Sequence, residues 1–229
     1  AEAIPRCAHL LGDIPAARLF DELLKLFMAG FARATMDTLL EHDLVRYLFP
    51  ESEQILRRDP AALALVQAAL DSTDARIRED KPVTPAFLLA ALLWPATAAR
   101  SAELRERGDS PIVAMHSAAQ QVVTEAAHTL SIPRRFSLPM REIWEFQLRL
   151  QRKQGRKAAE LGDHPRFRAA YDFLLFREQA GQINGGRGDG WTEFQTLPFE
   201  ERLQRAASRG QRDGRRPRKR RPAGNRPQG

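Results

Sequence analysis

Arg149, Arg152, Lys153 and Arg156 are spaced i, i+3, i+4 and i+7, with Lys157 beside them. On one helix that spacing makes a single stripe of positive charge. Arg166 and Arg168 follow at what reads as the next helix start, and Arg134 and Arg135 precede the stripe at a helix boundary. A rigid row of cations matches a row of phosphates. Arginine adds bidentate phosphate contact and stacking on unpaired bases. A second basic element is more concentrated: Arg215, Arg216, Arg218, Lys219, Arg220 and Arg221 place six cations in the eight positions 215–222. Such a segment attracts polyanions without reading sequence. The plainer reading of the stripe is a solvated face partly neutralised by Glu142, Glu145 and Glu160. The plainer readings of the tail are a solubilising segment, a membrane-surface patch or a targeting patch.

Other residue patterns carry less chemistry. His9, His42, His116, His128 and His164 show neither H-x-x-x-H nor H-E-x-x-H spacing, so surface or capping roles fit them better than metal binding. Cys7 has no histidine in a nucleophile pattern near it and reads as a small hydrophobe. Glu41-His42-Asp43 and Glu51-Ser52-Glu53 place acids two apart, but two-metal chemistry needs them on a rigid strand, and here they fall at helix ends and loops. The glycines of 185–190 lack the Lys-Ser/Thr of a P-loop and follow no strand. Arg187-Gly188-Asp189 within them reads as an accidental adhesion tripeptide.

These residues need elements to position them. In 229 residues, 43% are hydrophobic and 28% charged. That is globular composition, which excludes a collagen, a coiled-coil rod and a wholly disordered chain. One cysteine excludes a disulfide framework and a Cys-rich zinc site and fits a reducing, intracellular, cytoplasmic setting. The longest apolar run, 86–94, is far below the roughly 18 residues of a membrane span, so no stable membrane insertion is expected. The chain begins at Ala1, consistent with a fragment or a processed product, and no signal peptide is visible.

The net charge of +7 is segregated. Residues 1–133 hold 13 basic and 18 acidic groups, residues 134–168 hold 10 basic and 4 acidic, and residues 209–229 hold nine basic and one acidic. Segregation of this kind suits a polyanion partner.

The fold class read from the sequence is all-α. No segment alternates strictly, and apolar residues recur at spacings of three and four. Pro15 starts a helix lined by Leu19, Leu23, Leu26 and Phe27, ended by Gly30, and another runs near 32–42. Tyr47-Leu48-Phe49-Pro50 is a short apolar corner. Asp59-Pro60 starts a helix through Leu70, and Thr84-Pro85 starts a buried central one that Pro95 should kink or stop. Ser110-Pro111 begins a long helix to about Leu130, a further helix runs from about Pro139 to Leu161, and one more from 163 to about 180. Residues 181–190 read as a flexible linker, followed by an aromatic patch (Trp191, Phe194, Phe199) and a final helix near 199–208. Residues 209–229 cannot bury a core and read as disordered.

The order of these segments resembles the carboxy-terminal part of the bacterial poly(A) polymerase I family, within the class II nucleotidyltransferases that also include the CCA-adding enzymes. Ile14 to Leu23 looks like the neck-helix motif of that superfamily, with Arg18 and Glu22 matching its bracing Arg and Glu. Thr73-Asp74 with Arg76, and 81–94, resemble the polymerase body. The sharpest likeness is Ile143-Trp144 with Gln147 to Leu150, then 152–158, then His164-Pro165-Arg166-Phe167-Arg168 through Leu175. That run, with the Arg-rich tail, separates the polymerase branch from the CCA-adding one. The resemblance implies neck helices at 1–45, a helical body at 46–133, a basic RNA-binding leg at 134–180, the linker and aromatic patch at 181–208, and the Arg-rich tail. The family's catalytic head, with its Gly-Ser motif and Asp-x-Asp pair on a sheet, has no counterpart here, so no catalytic residue or metal ligand is assigned. ATP and Mg²⁺ are expected at that head, not on this chain.

The resemblance further implies template-independent addition of AMP to RNA 3′ ends by the whole enzyme, in RNA processing and decay. Single-stranded RNA 3′ ends are the implied partner of this portion, with a DEAD-box RNA helicase or another RNA-decay protein as a second. Three alternatives stay open: a tRNA-binding relative of the CCA-adding enzymes, a protein-interaction module docking an RNA helicase through its acidic first half, and a tail that binds anionic membrane. For the tail, about five phosphate contacts on a single strand correspond to a slope near −3.5 in log K against log salt. Titration against single-stranded RNA is expected to give a shallower slope once the chain is ended at Ser208.

Overall fold

Four helices begin with proline in their first turn, where its missing N–H costs nothing and its fixed φ suits the helix. These are α5 (Pro50–Leu56), α6 (Pro60–Arg78), α7 (Pro85–Glu106) and α8 (Pro111–Thr129). The Asp59 carboxylate caps α6 by accepting from the Ala61 N–H at 2.8 Å. The computed structural model describes residues 3–151 and 156–213, a few of them, including 208–213, as backbone alone. Every regular element among the described residues is helical. Before α5 come α1 (Ala3–Cys7), a 3-10 turn (Ala8–Asp13), α2 (Ala16–Phe27), α3 (Ala32–Glu41) and α4 (Val45–Leu48). After α8 come α9 (Arg134–Leu150), α10 (Arg156–Leu161), α11 (Phe167–Gln179), α12 (Arg187–Gln195) and α13 (Phe199–Asp213).

α7 is the central element, packed by α5, α6, α8 and α9. Its residues from Leu88 to Thr97 are all buried, so no face is left for solvent. Pro95 does not stop the helix, which runs on to Glu106, and its neighbours stay buried. An interior proline costs about 3 kcal/mol, whereas each buried Leu or Trp beside it contributes about 1.5–3 kcal/mol. The Thr97 hydroxyl donates to the Leu93 carbonyl at 2.9 Å, giving that turn a second bond. At the solvent end of α7, Arg100 bridges Glu51 of α5 and Glu125 of α8. Its hydrogen bond holds the Glu125 carboxyl below the usual carboxylate range.

α6 runs eight residues past the expected stop at Leu70. Thr73 and Asp74, past that expected stop, are both buried. Thr73 donates to the Ala69 carbonyl. Asp74 accepts from the backbone N–H groups of Ala32 at 2.7 Å and Arg33 at 3.0 Å. It therefore caps the start of α3 from a distant part of the chain, satisfying donors that α3 cannot satisfy internally.

The helix expected from Pro139 to Leu161 is two helices. α9 begins earlier, at Arg134, runs through Pro139 and ends at Leu150. The Leu150 carbonyl is taken by the Trp191 indole N–H at 2.8 Å. The 181–190 segment is shorter as a connection than its glycines suggest, because α12 starts inside it. Gly188 sits so close to α11 that an added Cβ would lie 2.3 Å from Leu175 Cδ2. Its N–H donates to Glu178 at 3.0 Å. Here glycine serves close approach rather than flexibility.

Trp191 is fully buried and centres a second core with Phe146, Phe167, Tyr171, Leu174 and Phe194. α13 joins it through Ala206 and through Arg202, whose guanidinium donates to the Ala159 carbonyl at 3.0 Å and to Asp163 at 2.6 Å. Gly162 makes room for that guanidinium, since a Cβ there would meet Arg202 Nη1 at 2.2 Å. α13 continues to Asp213, so residues 209–213 of the expected disordered tail are helical; the rest of that tail lies outside the described residues.

Removing the capping carboxylate with Asp74→Ala is expected to lower unfolding free energy by about 1–2 kcal/mol, read by urea denaturation. Asp74→Asn should retain most of the stability, and an unchanged midpoint for Asp74→Ala would show that the start of α3 does not depend on this cap.

Candidate nucleic-acid interface

The expected single stripe of cations is not formed on one helix. Arg149 ends α9, Arg156 opens α10, and Arg152 and Lys153 fall outside the described residues. Arg215, Arg216, Arg218, Lys219, Arg220 and Arg221 fall outside them as well. The physical reason lies in the packing: the Leu150 carbonyl at the end of α9 is taken by Trp191, which arrives 41 residues later in the chain, and α9 stops there.

The remaining cations sort by their partners. Arg156 pairs with Glu160 at 2.8 Å, Arg166 with Glu142 at 3.0 Å and Arg168 with Asp172 at 3.0 Å. Surface ion pairs contribute only about 0.2–1 kcal/mol, but they occupy the guanidinium donors. Arg134, Arg135, Arg149 and Lys157 are exposed, and none of them has a carboxylate partner among the described residues. Arg134 and Arg149 stand at opposite ends of α9, roughly 22 Å apart along its axis. Arg135 lies over the Phe136 ring at 4.8 Å, and Phe136 packs on Phe20 of α2. The cations at the start of α9 thus adjoin α2, and those at its end adjoin the turn between α10 and α11.

That second place is organised by Phe146. Its ring is 2% exposed. The Arg149 guanidinium lies over it at 5.3 Å from the centroid. The His164 imidazole packs against it at 4.8 Å between centroids, tilted by 53°. His164 Nδ1 accepts from the Arg166 backbone N–H at 3.1 Å, and Arg166 reaches back to Glu142 one turn before Phe146. Five residues meet here, Glu142, Phe146 and Arg149 from α9 and His164 and Arg166 from the turn before α11. Sequence reasoning assigned His164 to an ordinary surface or capping role; Asp163-His164-Pro165 signals a turn, but the contact with Phe146 is tertiary and has no local signature.

Arg18 and Glu22 sit exposed on α2. Glu22 bonds Lys25 at 2.8 Å, and that bond first, with the Lys25 and Arg18 charges, lowers its carboxyl from the ordinary value. Away from the basic face, an open groove of about 400 Å³ is lined by Asp43, Arg46, Glu53, Gln54, Arg57 and Arg58. Arg57 there is tied to both Asp43 and Glu53. Among the described residues no three His, Cys, Asp or Glu side chains converge to hold a metal ion, and no helix is long and apolar enough to cross a membrane.

Asp172, the partner of Arg168 on α11, is partly buried. Burial pushes its carboxyl up from the ordinary value, opposed by the hydrogen bond and charge of Arg168 and by the charge of Arg76. A raised carboxylate pKa means the folded state holds the proton more tightly. The stabilisation is therefore full below the ordinary carboxylate range and is lost as pH rises through the raised value. Asp172→Asn is expected to flatten that part of the melting-temperature profile between pH 3.5 and 7, while a profile identical to that of the unsubstituted chain would locate the titration elsewhere.

Comparisons with known proteins show the family. Residues 107–225 match the family described as "Polymerase A arginine-rich C-terminus". Residues 1–56 match the one described as "Probable RNA and SrmB-binding site of polymerase A". Poly(A) polymerase I of Escherichia coli O6:H1 is 42% identical over 182 residues, covering 78% of this chain and 39% of that relative. The Salmonella typhimurium LT2 enzyme is 40% identical over 208 residues, covering 88% and 45%. The Haemophilus influenzae enzyme is 34% identical over 210 residues, covering 89% and 46%. The matched chain spans less than half the length of these relatives. With the arginine-rich family spanning over half of its residues, the chain belongs to the poly(A) polymerase I family and matches its carboxy-terminal portion.

Proposed function

We propose that this chain is the RNA-holding portion of an enzyme that adds AMP from ATP to RNA 3′ ends without a template. The observation that carries the reading is the sorting of the basic face. Arg134, Arg135, Arg149 and Lys157 are exposed cations without a carboxylate partner among the described residues, on a scaffold that pairs Arg156, Arg166 and Arg168. Unpaired, positioned cations are what counterion release from a phosphate chain rewards. The basic residues of 209–229 add a contact that does not depend on sequence. ATP and Mg²⁺ belong, in this reading, to catalytic residues that lie elsewhere in the longer relatives. Arg18 and Glu22 would brace the neck beside them.

A second reading concerns the other end of the chain. Residues 1–56 contain exposed Leu10, Leu26 and Phe31, the last 70% exposed. Exposed apolar side chains of this kind suit a protein dock. They favour a contact with an RNA-decay protein such as a DEAD-box helicase on that region, at the same time as RNA on the basic face.

Fluorescence anisotropy with single-stranded RNA tests the first reading. Arg149→Glu with Lys157→Glu is expected to weaken binding at least tenfold and to lower the salt slope by about 1.4, two phosphate contacts' worth. Arg156→Glu with Arg168→Glu should change the slope much less. Equal effects from the two pairs, or none from either, would remove the basis for the proposal.

A further inference from the structure

We infer that Arg149 and His164, both seated on Phe146, form a stacking platform for an unpaired RNA base. The inference rests on the RNA-holding reading and adds a base contact to it. Phe146 is buried and cannot itself meet a ligand. The two planar groups packed on it are exposed. Arg149 lies over the ring at 5.3 Å and has no carboxylate partner among the described residues, so the outer side of its guanidinium is available. His164 is fixed in orientation as well as position. Its Nδ1 accepts the Arg166 N–H at 3.1 Å, so in the neutral imidazole the proton sits on Nε2 and the flat ring keeps one donor on its other edge.

Other arginine–aromatic contacts in the chain differ. Arg168 lies over Tyr171 but is held by Asp172. Arg46 lies over Tyr47 and donates to its hydroxyl at 3.2 Å. Arg135 lies over Phe136, which also meets the Phe20 ring, but Phe20 is buried and cannot reach a ligand. Only Phe146, among the described residues, supports both a guanidinium and an imidazole. Bases stack on guanidinium planes and on histidine as they do on aromatic rings. Such a site tolerates any base, because every base has a π-face. It discriminates single strands from duplexes, whose bases are already stacked. Phosphate contact alone would not.

The test separates stacking from charge. Full-length chain is titrated with a short oligoadenylate and with an abasic ribose-phosphate oligomer of equal length and charge, and a 2-aminopurine-substituted oligoadenylate reports stacking by quenching. The unsubstituted chain is expected to bind the oligoadenylate about fivefold or more tightly over the abasic oligomer. Arg149→Lys keeps the charge but loses the plane; it should abolish most of that preference and the quenching while leaving the salt slope unchanged. His164→Ala should act likewise, and His164→Phe, which keeps a plane, should restore the preference. Equal binding of the two oligomers, or an Arg149→Lys chain that retains the full preference, overturns the platform while leaving phosphate binding intact. Failure to bind either oligomer overturns the RNA-holding reading together with it.

Discussion

Gln147 is the point at which the two halves of the molecule are held in register. Its amide is fully buried, so each of its polar atoms must find a partner inside the protein or cost about 1–3 kcal/mol. Nε2 donates to the Ile143 carbonyl at 3.2 Å and to the Ala170 carbonyl of α11 at 3.0 Å. Oε1 accepts from Arg177 at 3.3 Å. Arg177 lies on the Trp94 ring, Trp94 donates to Gln182, and Gln182 reaches the Ala61 carbonyl of α6. A polar thread thus passes between two apolar cores and fixes how α9, α11 and α7 meet. With α9 and α11 locked, Glu142 faces Arg166 and Phe146 faces His164 without further adjustment.

The same thread explains why the two cores can coexist. Trp144 donates to the Ala90 carbonyl at 3.0 Å and belongs to the first core; Phe146, two residues later, belongs to the second. One helix therefore buries different faces in different cores along its length. Its exposed residues are the cations Arg134, Arg135 and Arg149 at its two ends, with Leu138 between them.

Much of this was legible in the sequence. The Asp59-Pro60, Thr84-Pro85 and Ser110-Pro111 starts act locally, through a fixed φ and a missing N–H, so residue identity alone locates them. The family resemblance was carried by the Ile143–Leu175 run. What failed to be legible was set by distant contacts. Pro95 is tolerated because four neighbouring helices surround it. Asp74 lies past the expected stop of its helix and is a cap for another one. Gly188 looks like a hinge and is a packing contact. The cation row of 149–156 required one unbroken helix, yet Gly155 stands within it, a residue that costs about 1 kcal/mol in a helix interior. His164 became a candidate only when folding set it against Phe146.

Arg202 has a consequence for how a flexible ligand would be retained. Its guanidinium moors α13 to Ala159 and Asp163, next to the turn that carries His164 and Arg166. The basic residues from 214 onward therefore start from a point anchored to the folded body. In the RNA-holding reading, a strand gripped by either element meets the other at an effective concentration of order millimolar. Two contacts that would each release quickly then behave as one, because both must let go at once, and residence time grows without any new bond.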